Sequence, residues 1–133
     1  MLYCLDTNVV IEIYRGENKE IGEKLKSLQE QNVKITTNPL ILAELFKGAY
    51  IVPEKKEALI FIEEFLPSVD ILSFTEQAAR IYGQQFAILQ KLGKQTQEFD
   101  LMIASICIAH NAILVTRNHK DFANIKDLKM VAW

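Results

Sequence analysis

Four carboxylates stand where the local sequence gives each a chemical rather than a solvating look: Asp6, Glu44, Asp100 and Asp121. Asp6 directly follows the apolar run Leu2 to Leu5. Glu44 interrupts Leu40-Ile41-Leu42-Ala43-Glu44-Leu45-Phe46, where apolar neighbours cover most of a helix circumference. A buried, unpaired carboxylate is costly, so Glu44 needs a cation or a hydrogen-bond partner. Asp100 sits between Phe99 and Leu101 to Ile103, and Asp121 ends the polar turn Thr116-Arg117-Asn118-His119-Lys120-Asp121. Taken singly, Asp6 and Asp100 could cap helices and Asp121 could be an ordinary turn residue. Taken together in one cleft, four like charges would raise one another's pKa values, and a divalent cation removes that repulsion. Oxygen-only ligands, without histidine or cysteine, select Mg²⁺ or Mn²⁺ over zinc. Such ions activate water and neutralise charge that develops on phosphate during in-line displacement.

The elements that must bring these acids together alternate in type. Leu2 to Leu5, Val33 to Thr37, Val69 to Ser73, Ala112 to Thr116 and Leu128 to Val131 read as strands. Val9 to Tyr14, Ile21 to Leu28, Leu40 to Tyr50, Pro53 to Leu66, Thr75 to Leu92 and Asp100 to Asn111 read as helices. Asn38-Pro39 is a helix start with proline at the first helical position, and Gly93 is a stop. Strands alternating with helices imply a three-layer α/β/α sandwich on a five-stranded, mainly parallel sheet, formed by a single domain over residues 1–133. Ligands bind such sheets outside the carboxyl ends of the strands, where strand order reverses. Asp6 and Asp121 follow the first and fourth strands, and the helices of Glu44 and Asp100 begin at the same edge. A reversal between those two strands would converge all four acids.

Composition narrows the function classes. Hydrophobic residues make up 50% and charged residues 24%, which excludes an intrinsically disordered chain. No apolar run approaches the roughly 18 residues of a membrane span, and the N-terminus lacks a basic region and cleavage site, so a cytoplasmic location is expected. Cys4 and Cys107 lie in apolar runs and read as free, buried thiols. His110 and His119 have no partner at zinc-ligand spacing. The net charge of −2 argues against a general nucleic-acid coat but not against a nuclease with an acidic centre. Setting the four acids aside leaves 15 Lys and Arg against 13 acids (17 less four). Arg15, Arg117 and Lys120 lie near the acidic edge and are candidate RNA-phosphate contacts, although any one of them taken singly reads first as a solvated cation.

The motifs resemble those of PIN-domain ribonucleases, in particular the VapC-type toxins of toxin–antitoxin pairs. The matching pieces are Leu5-Asp6-Thr7-Asn8-Val9, Ala43-Glu44-Leu45, Asp100-Leu101-Met102-Ile103-Ala104 and Val115-Thr116-Arg117-Asn118-His119-Lys120-Asp121-Phe122. The resemblance spans the chain and implies a Mg²⁺- or Mn²⁺-dependent endoribonuclease that cuts a phosphodiester with a metal-activated water. It maps Asp6, Glu44, Asp100 and Asp121 onto the catalytic, metal-binding quartet, and Thr7, Thr116 and Asn118 onto polar residues that orient ligands or waters. It also implies a homodimer, a cognate antitoxin and a narrow RNA target such as tRNA or rRNA. Glu98 lies two residues before Asp100, about 200° around a helix, so only one can face the cleft; Asp100 is favoured and Glu98 assigned a supporting place.

Rival readings separate on the same residues. A receiver domain would need paired acids after the first strand, where Thr7 and Asn8 follow Asp6, and a lysine after the fifth, where the sequence ends at Trp133. A haloacid-dehalogenase-type phosphatase needs a second Asp where Asn8 stands. The alternative that survives is a non-catalytic PIN-like module binding RNA or protein. For partners, the apolar run Ala58 to Ile62 with Phe65 and Leu66, joined by the Ile21 to Leu28 helix, is either a docking face or a helix covered by its neighbours.

Overall fold

The computed structural model describes residues 1–133. Leu2–Leu5 forms β1, whose Cys4 and Leu5 are fully buried, as expected of a strand covered on both faces. Asp6 ends it and caps α1 (Thr7–Arg15), which Gly16 closes in the left-handed conformation with φ 65°. There the Gly16 N–H donates to the carbonyls of Glu12 and Ile13, a conformation that a side chain would strain. α2 (Lys19–Glu30) is capped by Asn18, and Ile21 and Leu28 turn its apolar stripe into the core. β2 (Lys34–Thr37) leads through the Asn38 cap and Pro39 into α3 (Pro39–Ile51). α4 (Lys55–Phe65) ends in a 3₁₀ turn at Leu66–Ser68, then β3 (Asp70–Ile71) follows. Thr75 caps α5 (Glu76–Lys91), which precedes α6 (Glu98–Ala109) and β4 (Ala112–Val115). A four-residue α7 (His119–Phe122) and β5 (Lys129–Val131) complete the chain.

The sheet runs β3-β2-β1-β4-β5 and every pairing is parallel. β1 is central, with Leu5 opposite Val115 on β4 and Cys4 opposite Thr36 on β2. The chain moves outward from β1 to β3 on one side, then crosses back to β4, so strand order reverses between β1 and β4. Right-handed crossovers send α1 to α4 to one face and α5 and α6 to the other, giving the three layers. α3 packs on α4 and α5 on α6. One core of 25 buried apolar residues runs through both faces, with Leu5, Val9, Ile41, Ile103, Leu114 and Phe122 at most 1% exposed. Each such side chain contributes roughly 1.5–3 kcal/mol by leaving water.

Four elements depart from the sequence reading. The third strand spans only two residues, Asp70 and Ile71, instead of Val69 to Ser73. It is an edge strand, exposed at both residues and paired only to Thr36 and Thr37, so no second neighbour extends it. The fourth helix starts at Lys55 rather than Pro53 and ends at Phe65, because Leu66–Ser68 tightens into the 3₁₀ turn around Pro67. α6 begins at Glu98, two residues before the expected Asp100, and α7 forms inside what read as a turn. The apolar length of α4 is mostly covered within the chain: Ala58 and Ile62 are buried, and the Phe61 ring lies 4.9 Å from Tyr14 and 6.0 Å from Phe65. The exposed apolar side chains nearby are Tyr50, Ile51 and Ile60. No helix is long and apolar enough to cross a membrane.

Candidate active site

Asp6 lies where β1 ends beside β4, and local geometry fixes it from both sides. Its backbone N–H donates to the Val115 carbonyl at 2.9 Å, continuing the β1–β4 ladder by one residue. Its carboxylate accepts from the Thr7 N–H at 2.9 Å on Oδ1 and from the Thr116 hydroxyl at 2.7 Å on Oδ2. Thr116, fully buried at the end of β4, in turn accepts from the Asn118 N–H at 3.0 Å. The Asp121 N–H donates to the Asn118 carbonyl at 3.0 Å, so the turn that carries Asp121 is built on Thr116. Asp121 itself is exposed.

Glu44 reaches the same edge from α3. Asn38, fully buried, sets the start of that helix by accepting from the N–H groups of Leu40 and Ile41, both at 3.1 Å, and its amide nitrogen donates to the Cys4 sulfur at 3.8 Å. The Glu44 carboxylate accepts from the Thr7 hydroxyl at 3.0 Å. This is the partner that the apolar surroundings of Glu44 demand. Thr7 therefore touches two of the acids, Asp6 through its N–H and Glu44 through its hydroxyl.

Electrostatics tie Asp100 to the other three. Burial, then the charges of Asp121, Asp6 and Glu44, push its carboxyl up to about 6. Asp6 is raised chiefly by burial and further by Asp121, against the hydrogen bonds from Thr116 and Thr7 that lower it. Glu44 is raised by burial and by Asp6, against the Thr7 hydrogen bond and Lys47. The four expected acids thus share one electrostatic neighbourhood at the strand-order reversal. Glu98 does not join them: it accepts from the Tyr82 hydroxyl of α5 at 3.1 Å and is exposed. The 200° that separates the two positions, now both helical, is visible as two different partners.

Thr7 and Thr116 meet the acids directly, whereas Asn118 enters through its backbone. Arg15 and Lys120 are exposed. Arg117 is engaged: its Nε and Nη2 donate to the two Glu12 oxygens, each at 3.1 Å. Glu12 was not named by the sequence reading, and Asn8 was given no role in the site; their i,i+4 spacing on α1 was the available signal. Beneath the acids, Cys4 and Cys107 are free and fully buried, as expected. Their mutual hydrogen bond, then burial, push the Cys107 thiol up, which makes it a poor nucleophile.

No group of three or more Asp, Glu, His or Cys side chains is brought close enough together to hold a metal ion. The donor chemistry nevertheless fits a hard divalent ion. Only carboxylates are offered; burial first, and then the charges of their neighbours, make the ionised forms of Asp6, Glu44 and Asp100 costly, and a cation would offset that cost. Mg²⁺ keeps several of its waters and needs only one or two direct carboxylates, so an open set suits it better than a cage. Asp6, Glu44, Asp100 and Asp121 are the residues that could hold it.

Comparison with known proteins gives the family. A family model described as the PIN domain matches residues 3–128. A curated relative named Ribonuclease VapC1, from Haemophilus influenzae strain R2866, is 33% identical over 133 residues, covering 100% of this chain and 98% of that protein. A protein of Shigella flexneri named tRNA(fMet)-specific endonuclease VapC is 29% identical over 131 residues, covering 98% and 97%. Among solved structures, VapBC2 from Rickettsia felis bound to a DNA fragment from its promoter superposes with a TM-score of 0.92 at 31% identity, covering 100% of this chain and 99% of that one. Family model, full-length relative and superposed fold concur: the chain belongs to the PIN-domain family, among the VapC ribonucleases.

Proposed function

We propose that this chain is a divalent-metal-dependent endoribonuclease and the toxin of a toxin–antitoxin pair. The observation that carries the activity is the clustering of Asp6, Glu44, Asp100 and Asp121, marked by the Asp100 carboxyl held at about 6 by burial and by the other three. A non-catalytic module would have no use for so unfavourable a collection of charge. Mg²⁺ or Mn²⁺ at this site would supply an activated water and neutralise charge on the scissile phosphate.

The protein's own residues prepare the site for that chemistry. Thr116 and the Thr7 N–H each occupy one lone-pair position of Asp6, fixing the plane of its carboxylate and leaving the remaining lone pairs to a ligand. The Thr7 hydroxyl orients Glu44 in the same way. Asp100, partly protonated near pH 6, binds a cation less well as the proton returns, so acid weakens the site. Lys120 and Arg15, both exposed, remain available to meet the phosphates on either side of the cut.

Partners follow from the relatives. The Rickettsia felis structure is a VapBC assembly, and on that likeness the present chain takes a cognate antitoxin. The Shigella flexneri relative carries tRNA(fMet) in its name, which makes initiator tRNA the first substrate to try. A homodimer and a cytoplasmic location complete the proposal, the dimer being supported by the exposed Tyr50, Ile51 and Ile60. The test is cleavage of an initiator tRNA transcript with Mg²⁺, with Mn²⁺ and with chelator, beside sequencing of RNA 5′ ends after brief induction. Metal-dependent cuts at defined positions support the reading; intact RNA in both experiments overturns it.

A further inference from the structure

We infer that Arg117 is a positioning residue: gripped by Asn8 and Glu12 of α1, it holds the loop that carries Thr116 and Asp121 in register with Asp6. The inference rests on the proposed catalytic reading and assigns Arg117 a role inside the protein instead of on the RNA.

Three contacts lash this loop to one helix. The Thr116 hydroxyl reaches Asp6, the residue that caps α1, at 2.7 Å. The Arg117 N–H donates to the Asn8 side-chain oxygen at 3.3 Å. The Arg117 guanidinium grips both oxygens of Glu12 at 3.1 Å. Asn8 and Glu12 lie one turn apart on one face of α1, so backbone and side chain of a single residue are held by the same surface. A two-point guanidinium–carboxylate contact fixes direction as well as distance, which a lysine cannot do. Both side chains are about one-third exposed (35% and 31%), and Arg15 and Lys120 are not tied down in this way. β4 leaves the sheet at Val115 and α7 starts at His119, so the grip acts midway along a three-residue connection. Asp121 lies one short turn beyond and is otherwise exposed; its place relative to Asp6 depends on that connection. The pair also neutralises Glu12, a fifth acid on the helix that starts at Asp6.

The experiment compares wild type with Glu12→Ala, Glu12→Gln, Arg117→Ala, Arg117→Lys and the reversed pair E12R/R117E. Four quantities are measured: backbone hydrogen exchange of residues 116–122 without metal, Mn²⁺ affinity by calorimetry, and kcat and KM on an initiator tRNA transcript. In the single variants loop exchange should accelerate, and Mn²⁺ affinity and kcat should each fall about threefold to tenfold, with KM within about twofold. The reversed pair should recover part of each loss, and Arg117→Lys should recover less because it makes one contact instead of two. The inference is overturned if Glu12→Ala leaves loop exchange and Mn²⁺ affinity as in wild type. It is equally overturned if Arg117→Ala raises KM several-fold while Glu12→Ala does nothing, since Arg117 then serves the RNA. Exchange in the loop is read without metal or substrate. A wild type that binds no Mn²⁺ and cuts no RNA therefore counts against the catalytic reading and leaves the exchange result to judge the clamp.

Discussion

The ends of β1 and β4 lie side by side at the same sheet edge, and each delivers an aspartate, yet they hold it differently. Asp6 follows β1 without a gap, is 5% exposed, and has two hydrogen bonds on its carboxylate. Asp121 stands six residues past Val115, is exposed, and is placed through its backbone and the loop behind it. The first is a rigid carboxylate, its geometry set by sheet and cap together. The second is an adaptable one, which in the proposed site would reach an ion directly or through water. Asp100 and Glu44 fall between, half-buried on helices that start at this edge. On the proposed reading, a site graded in this way would bind an ion firmly on one side and leave room on the other for a phosphate to enter.

The sharpest break in that comparison comes from the rigid side. Asp6→Asn and Asp100→Asn should each lower cleavage about 10²–10³-fold or more, since each removes charge from the centre of the cluster. Both variants should keep the fold and melt no lower than metal-free wild type, because a like charge has been removed. Near wild-type cleavage by either would remove that residue from the site.

A second test moves one atom away from the carboxylates. Thr116→Val is nearly isosteric but deletes the hydroxyl that orients Asp6 at 2.7 Å and accepts from Asn118. Mn²⁺ affinity should fall roughly 10–100-fold, the usual penalty for losing a group that orients a ligand. Thr7→Val, which loses only the hydroxyl on Glu44, should do less. If Thr7→Val proved the more damaging, Glu44 and not Asp6 would be the anchoring ligand.

How legible this gradient is in the sequence depends on the length over which each contact is written. Asp6 after Leu2–Leu5 announces itself, because a strand buried on both faces must end before a charge. Glu44 announces itself by contradicting its apolar neighbours, and its Thr7 partner resolves the contradiction. Helical angle says that Glu98 and Asp100 cannot both face the cleft, and the apolar run directly after Asp100 favours Asp100; the start of the helix at Glu98 could not be read, since Gln97 provides no side-chain cap to mark it. β3 shrank to two residues because an edge strand takes its length from its one neighbour and not from its own apolar run. The Arg117–Glu12 pair joins positions 105 residues apart, and no local pattern encodes such a contact. Only the sheet order, which sets β4 beside β1, brings them together.

The adaptable side should respond more mildly. Glu44→Gln should weaken Mn²⁺ binding about tenfold, because a neutral amide is a poor ligand for a hard cation. Asp121→Asn should weaken it only about threefold, as expected of a carboxylate acting through water. Calorimetry on the two variants decides the order. A larger loss for Asp121→Asn would invert the gradient and make the exposed loop the principal anchor.

The smallest effect is on stability, and its sign follows from Asp100. In the folded protein burial and the three neighbouring acids hold this carboxyl at about 6, above its ordinary value near 3.9 in an unfolded chain. Between those two values the folded state binds the proton more strongly than the unfolded state. Stability of the metal-free protein must therefore fall as pH rises through this window, and the whole penalty is present above about 6. Asp6 and Glu44 are raised as well and push in the same direction. Asp100→Asn removes the share that belongs to Asp100, about 1–2 kcal/mol once solvent screening of a half-buried carboxyl is allowed for. Melting curves taken in chelator from pH 4 to 7 should show the variant gaining on wild type as pH rises, then a constant difference above about pH 6. Adding Mn²⁺ should reverse the trend for wild type, because the ion competes with the proton and gains as the proton leaves. Wild-type and variant curves that stay parallel across the whole range would mean that Asp100 feels neither the burial nor the three charges, and the cluster would lose its centre.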